Sequence, residues 1–265
     1  MQQKILNYLL DNLYDNYLPM DLHKKAAQKF QTTLREVEKI ALKNNITPLR
    51  YKRNQSTICV KDQLKLLESH IAIIGCGGLG GHIAEILTRI GVGKLSLFDF
   101  DIFEEHNLNR QNFSNYATLG REKVLVAKEE LERINPSIQI NAYVKKFKPK
   151  NDLDFISTAN VVIDALDNPG TKLELSIECK ENGLNFVHGA IAGLNGQFCT
   201  NLTLENLYKT GSSGIEKSIG NPSFSVTFAA SVQCSEAIKI ILGLGKTLGD
   251  HIMISNLLEN EFILI

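Results

Sequence analysis

The chain has 265 residues, 43% of them hydrophobic, which is enough for one large domain, alone or with a small appendage. Lys plus Arg and Asp plus Glu stand at 29 each, so no overall charge bias favours nucleic acid or membrane, and any electrostatic function must be local. The first apolar residues are interrupted by Asn7, Asp11, Asn12 and Asp15, no run reaches membrane-spanning length, and the five cysteines (Cys59, Cys76, Cys179, Cys199 and Cys234) are never spaced CxxC. A signal peptide, a membrane span, a disulfide framework and a structural zinc site are therefore not expected; a cytoplasmic protein with reduced thiols is.

Residues 2–18 place Ile5, Leu6, Leu9, Leu10, Leu13 and Tyr17 at helical spacing, predicting an amphipathic helix ended by Pro19. A second helix is predicted over 21–30, and a third from Thr33, where Thr33 and Glu36 form a capping-box pair ahead of Val37, Ile40 and Ala41. The succession suggests either a helix-turn-helix or a helical cap packed on the rest of the molecule or on a twin subunit. Lys24, Lys25, Lys29, Lys39 and Lys43 suit the first, while Glu36 and Glu38, near the start of the would-be recognition helix, would repel phosphates and favour the second. Residues 44–61 read as a polar connector containing the sequence PLRYKRN (48–54).

Residues 71–74 form a β-branched run with no charge, expected of a strand buried on both faces of a parallel sheet. Gly75, Gly77, Gly78, Gly80 and Gly81 follow before helical spacing resumes at 82–90. Strand, glycine turn and helix together make a phosphate cradle, because the glycines admit a close backbone approach and the helix N-terminus offers unpaired N–H groups. A second apolar run, 95–98, ends in Asp99, where a dinucleotide-binding unit carries the carboxylate for a ribose hydroxyl.

An aperiodic loop holding Asn107, Arg110, Gln111 and Arg121 leads to a helix over 123–134, closed by Asn135-Pro136. Strands are predicted at 138–144, at 161–166 as a further apolar run delivering Asp167, and at 185–188, with a helix over 171–182 between the last two. Beyond these, 197–204 reads as a strand leading away from the crevice and 205–221 as a polar glycine-containing loop. A long helix over 222–242 follows, then one or two closing strands within 251–265. The expected fold is α/β: a Rossmann-like, doubly wound and mainly parallel sheet continuing into antiparallel strands. Residues 1–48 would form a small N-terminal helical region and 49–265 the nucleotide-binding domain.

Over roughly residues 50–265 the chain resembles the ThiF/MoeB/HesA family, bacterial relatives of ubiquitin-activating enzymes. The matching words are RYKRN, GCGGLGG, GVGKLSLFDFD, HNLNRQ, GREKV, DALDN and SVQCSEAIKIILG. The resemblance implies an ATP- and Mg²⁺-dependent adenylyltransferase in which the C-terminal carboxylate of a small ubiquitin-like sulfur carrier, ending in Gly-Gly, attacks the α-phosphorus. Such activation serves thiamine or molybdopterin-type cofactor synthesis. It places Gly75, Gly77, Gly78, Gly80, Asp99 and Asp101 around the nucleotide and Asn107, Arg110 and Lys123 around the triphosphate. Asp167 becomes the magnesium ligand. It makes Arg53, rather than Arg50, the arginine that one subunit of a homodimer offers to its partner's site.

Two departures matter. Where many members carry zinc-binding CxxC pairs, this chain reads Leu207-Tyr208-Lys209-Thr210-Gly211, so zinc is not expected. No cysteine falls in 205–221, so covalent catalysis is not expected either, and Cys76, Cys179, Cys199 and Cys234 read as small apolar packing residues. Two other readings stay open: adenylation of a peptide terminus or a tRNA base, and, from a different class, a nucleotide-sensing or DNA-binding regulator.

Overall fold

The computed structural model describes residues 1–208 and 219–265. An eight-stranded sheet organises the chain, in the order β10-β9-β8-β7-β6-β3-β4-β5. Its parallel part comprises β3 (His70–Ile74), β4 (Lys94–Asp99), β5 (Gln139–Val144), β6 (Val161–Asp164) and the start of β7 (Phe186–Ala192). β8 (Asn195–Thr200), β9 (Met253–Asn256) and β10 (Glu261–Leu264) continue it in antiparallel sense. The Rossmann-like sheet with antiparallel continuation is thus as expected. Strand order reverses between β3 and β6, which opens a crevice at their C-terminal ends, the usual ligand position in such sheets.

Helices cover both faces. On one lie α4 (Val60–Glu68), α5 (Gly78–Ile90), α6 (Lys123–Ile134) and α9 (Ser223–Leu242), around Ile71, Ile73, Leu87, Leu97, Val126 and Ala230. On the other are α7 (Pro149–Asp152) and α8 (Pro169–Glu181), over a core of Phe98, Phe147, Ile156, Leu175 and Phe186. The α9 helix has the length and hydropathy of a membrane span, yet it packs against α5 and β7 as a core helix, with Val226, Ala230, Cys234 and Ala237 buried. Its C-terminus is closed by Gly243, whose φ of 69° suits a residue without a Cβ.

The N-terminal region has its own small core of Ile5, Leu9, Leu18, Val37, Ile40 and Ile46. It contains α1 (Gln2–Asn12), α2 (Met20–Lys29) and α3 (Leu34–Lys43). The first helix stops at Asn12 rather than 18, because Tyr17 and Leu18 form a short strand β1 paired with Thr47–Pro48, β2. Thr33 caps α3 as predicted, its Oγ1 accepting the Glu36 N–H at 3.1 Å.

α3 packs inward, and its polar residues reach into the main domain. Arg35 donates to the backbone carbonyls of Gly93 and Leu67, and Glu38 is buried against Arg50. This is the packed-cap arrangement, and it leaves that face of α3 unavailable to a DNA groove. The 44–61 connector is more ordered than its composition suggests: a 3₁₀ helix, Leu49–Asn54, follows β2, and α4 starts at Val60.

Candidate active site

The strand–turn–helix cradle forms at the mouth of the crevice. Gly75, at φ 99°, lies so close to the end of β6 that a Cβ there would run into the Ala165 carbonyl; a Cβ on Gly80 would strike the Gly75 carbonyl. These two glycines serve the close packing of loop on strand. Gly77 differs: it precedes α5 with no side-chain cap, and a Cβ there would meet nothing nearer than Gln111 Nε2 at 3.7 Å. The helix N-terminus is therefore open toward the crevice and offers unpaired N–H groups and a positive dipole end to an anion.

Asp99, the last residue of β4, braces the glycine turn from below. Its Oδ2 accepts the Cys76 N–H at 2.7 Å and its Oδ1 the Asp101 N–H at 2.9 Å. Partial burial raises its pKa above the ordinary carboxylate value, and these two bonds oppose the shift.

The crevice, of about 920 Å³, gathers Gly75, Gly77, Gly78, Asp99, Asp101, Asn107, Arg110, Lys123 and Asp167. Of the residues predicted for the site, Gly80 lies behind the lining and Arg53 stands apart from it. Lys123, at the N-terminus of α6, is 8% exposed along its side chain and pairs with Asp101 at 3.2 Å. Arg110 is held by neutral acceptors, the His106 carbonyl at 3.0 Å and Asn109 Oδ1 at 2.8 Å, and partial burial lowers its pKa. Asn107 Oδ1 closes the turn below it by accepting the Glu104 N–H at 3.0 Å. Asp167 is exposed beyond the end of β6, with no hydrogen bond or ion pair among the described residues.

Arg53 lies exposed on the 3₁₀ helix, without a partner among the described residues and outside the lining of its own chain's crevice. Arg50, three residues earlier, is committed to Glu38. Burial raises the pKa of Cys76 and Cys234, and pushes Cys179 and Cys199 up to about 12, so none of these four is a ready nucleophile. The stretch whose composition argued against zinc lies mostly in 209–218, outside the described residues.

Several lining groups went unread in the sequence. The strand expected over 161–166 stops at Asp164, which is fully buried and bonded to Lys172 at 3.0 Å and His188 at 2.7 Å. A carboxylate at the end of an otherwise apolar strand was the available signal, since such a charge demands a buried cation. β8 leads away from the crevice as expected, running antiparallel to β7, but it starts at Asn195 rather than 197, so that Asn195, Gly196 and Gln197 line the crevice together with Tyr208. Gln111 is buried beside the glycine turn, and its Oε1 has no partner among the described residues.

A Rossmann-like sheet with an open helix N-terminus, a strand-end carboxylate and flanking cations defines a nucleotide-binding protein. The chain belongs to the ThiF family, which it matches over residues 51–263. It is 29% identical over 214 residues to the sulfur carrier protein adenylyltransferase of Thermus thermophilus, covering 76% of this chain and 79% of that protein. It is 36% identical over 148 residues to the tRNA threonylcarbamoyladenosine dehydratase of Haemophilus influenzae, covering 55% and 56%. It is 35% identical over 141 residues to the adenylyltransferase and sulfurtransferase MOCS3 of Arabidopsis thaliana, covering 53% of this chain and only 30% of that one. Among solved structures, E. coli MccB with MccA superposes with a TM-score of 0.72 at 21% identity, over 94% of this chain and 79% of that one, and supports the fold.

Proposed function

We propose that this chain is an ATP-dependent adenylyltransferase whose acceptor is the C-terminal glycine carboxylate of a small ubiquitin-like sulfur carrier. The observation that carries the reading is the joint placement of the open α5 N-terminus, Asp99, Arg110, Lys123 and Asp167 on one crevice of a ThiF-family fold. In the reaction a carrier carboxylate oxygen bonds to the α-phosphorus, the bond from that phosphorus to the bridging oxygen breaks, and pyrophosphate leaves. Little covalent chemistry falls to the protein, so positioning and charge neutralisation carry the rate. Asp99 holds the ribose, the α5 N-terminus and Asn107 cradle the phosphates, and Arg110 and Lys123 steady the departing pyrophosphate.

A magnesium ion fits this site. One carboxylate, Asp167, without a partner among the described residues and beside the proposed phosphate path, is the sparse protein ligation that Mg²⁺ accepts when phosphate oxygens and waters complete its shell. When bound, it neutralises phosphate charge. The exposure of Arg53 away from its own crevice supports a homodimer in which each subunit supplies that arginine to the other. A cytoplasmic role in thiamine or molybdopterin-type cofactor synthesis follows from the carrier.

A second acceptor, a peptide terminus or a modified tRNA base, keeps the same chemistry. The 36% identity to a tRNA-modifying relative favours keeping it in view. Exchange of labelled pyrophosphate into ATP separates the two: it should require a purified carrier ending in Gly-Gly and vanish when the terminal carboxylate is amidated. Robust exchange without a carrier would overturn the acceptor assignment.

A further inference from the structure

Beneath the crevice, Asp164 is the hub of a buried network. Its Oδ2 takes Lys172 Nζ at 3.0 Å and His188 Nδ1 at 2.7 Å, and its Oδ1 accepts the Leu166 N–H at 3.0 Å. Its backbone carbonyl accepts Gln233 Nε2, from α9, at 2.8 Å. Lys172 also donates to the Gly189 carbonyl at 3.3 Å. On its far side, His188 Nε2 faces the Tyr208 hydroxyl at 3.4 Å, with the two rings edge to face at 5.7 Å; that hydroxyl accepts Gln197 Nε2 at 2.5 Å.

A carboxylate on Nδ1 and a hydroxyl on Nε2 is the geometry of a general base, but the charges here exclude that role. Burial and the neighbouring Lys172 cation hold the His188 pKa below its ordinary value, and Lys172 already neutralises the carboxylate that would stabilise an imidazolium. Nor does a carboxylate nucleophile have a proton to surrender. An ionised Asp164 only accepts, so the imidazole proton sits on Nδ1 and Nε2 keeps its lone pair. Every bond then has one direction: lysine and imidazole donate to the carboxylate, phenol to imidazole, and amide to phenol.

The network joins two parts of the crevice that are far apart in sequence and that the adjacency of β6, β7 and β8 brings together. One is the 165–168 turn, which Asp164 Oδ1 pins and which presents Asp167. The other is the wall at the β7–β9 side, where Gln197 and Tyr208 share the lining with Ala190, Ala192 and Ile254. The incoming carrier tail would meet this wall, because the cations that suit the nucleotide's phosphates, Arg110 and Lys123, lie between β4 and β5 on the other side of the crevice.

We infer that His188 is a positioning residue that holds Tyr208, and through it Gln197, in the geometry that receives the acceptor chain beside the α-phosphorus. The inference rests on the adenylyltransferase reading. Two substitutions separate its two bonds: His188→Asn keeps an amide donor near the Nδ1 position while removing Nε2, and Tyr208→Phe removes only the hydroxyl. Each should raise the KM for a Gly-Gly carrier about tenfold, the size of one lost positioning hydrogen bond. Each should leave ATP affinity by calorimetry within about twofold, and the double variant should be no worse than either single one. An unchanged carrier KM, or an equal loss of ATP affinity, overturns the assignment.

Imidazole nitrogen NMR tests the network without reference to the reaction. Wild-type His188 should be the neutral Nδ1–H tautomer at neutral pH, and Tyr208→Phe should move its Nε2 resonance to that of an unbonded nitrogen. A protonated ring, or an Nε2 signal indifferent to Tyr208, refutes the link. Failure of the adenylyltransferase reading would appear in the wild-type protein itself, as an absence of carrier-dependent exchange.

Discussion

The two arginines of RYKRN should separate cleanly into one that holds the fold and one that does not. Arg50 Nη1 lies 2.6 Å from Glu38 Oε2 and within 3.3 Å of Asn135 Oδ1 and Ser137 Oγ; Nη2 is 3.2 Å from His23 Nδ1. The Glu38 side chain is 0% exposed, and its Oε1 has no partner among the described residues. Arg50→Met therefore strands a buried carboxylate without its cation, which costs on the order of 3–5 kcal/mol. Against a typical total of ~5–15 kcal/mol, that is a large fraction. With m of about 3 kcal/mol per molar urea for a chain of this size, the midpoint should fall by roughly 1 M or more. Adding Glu38→Leu should recover most of the loss, because the uncompensated charge goes with it. Arg53→Ala, on an exposed residue without a partner among the described residues, should stay within about 0.5 kcal/mol of wild type. A loss below about 1 kcal/mol for Arg50→Met, or a double variant weaker than the single one, would refute the charge argument.

Acid sensitivity should appear well above the carboxylate range. Burial between Thr158 and Ser96 lowers the His70 pKa to about 4. The unfolded chain therefore binds a proton near pH 6.5 that the folded one refuses, and stability falls as pH drops from 6.5 toward 4, by ~2 kcal/mol at pH 5 from this residue. His23 and His188, also lowered, act in the same direction. Urea midpoints at pH 7 and 5 should show a smaller difference in His70→Asn than in wild type. Gly80→Ala, whose methyl would meet the Gly75 carbonyl, should destabilise by ~2 kcal/mol or more in the same assay, and a neutral result would mean the turn yields. If Arg53 acts across a dimer, mixing inactive Arg53→Ala with inactive Lys123→Ala should restore exchange, since one site per mixed dimer keeps both cations; no rescue in verified mixed dimers returns Arg53 to its own subunit or removes it from the chemistry.

Local signals carried far where one element decided its own fate. The predicted helix over 123–134 coincides with α6, the run at 71–74 is β3 with one residue added, and Thr33 caps α3. Elsewhere a distant partner decided the outcome. Residues 13–18 have helical spacing, but Tyr17 and Leu18 are drawn into extended pairing with Thr47 and Pro48. β7 runs past the predicted end at His188 to Ala192 because β8 pairs with it through the tight turn at Gly193-Leu194. The crevice residues nearest the glycine motif were legible, since spacing along one βαβ unit brings them together. The Asp164–Lys172–His188–Tyr208 network was not: it joins one residue each from β6, α8 and β7 to one beyond β8, and only the sheet order makes them neighbours.

The balance of charge in the crevice bears on which nucleotide it takes. Three of its lysines are compensated within the chain: Lys123 by Asp101, Lys145 by Asp152 and Lys172 by Asp164. Arg110 and Lys146 remain, with the α5 N-terminus, and by themselves they would suit a dinucleotide pyrophosphate as well as a triphosphate. Asp167 breaks the tie. On the proposed phosphate path, this exposed carboxylate, without a partner among the described residues, would repel a bare nucleotide and become favourable only with a divalent cation between it and the phosphates. Calorimetry should therefore find ATP binding strengthened by Mg²⁺ in wild type. Asp167→Asn should bind metal-free ATP more tightly than wild type does and gain less from added Mg²⁺, because the same charge is both the repulsion and the metal's anchor. Tight NAD binding indifferent to Mg²⁺, with Asp167→Asn unchanged in every condition, would leave the fold intact and take the triphosphate out of the crevice.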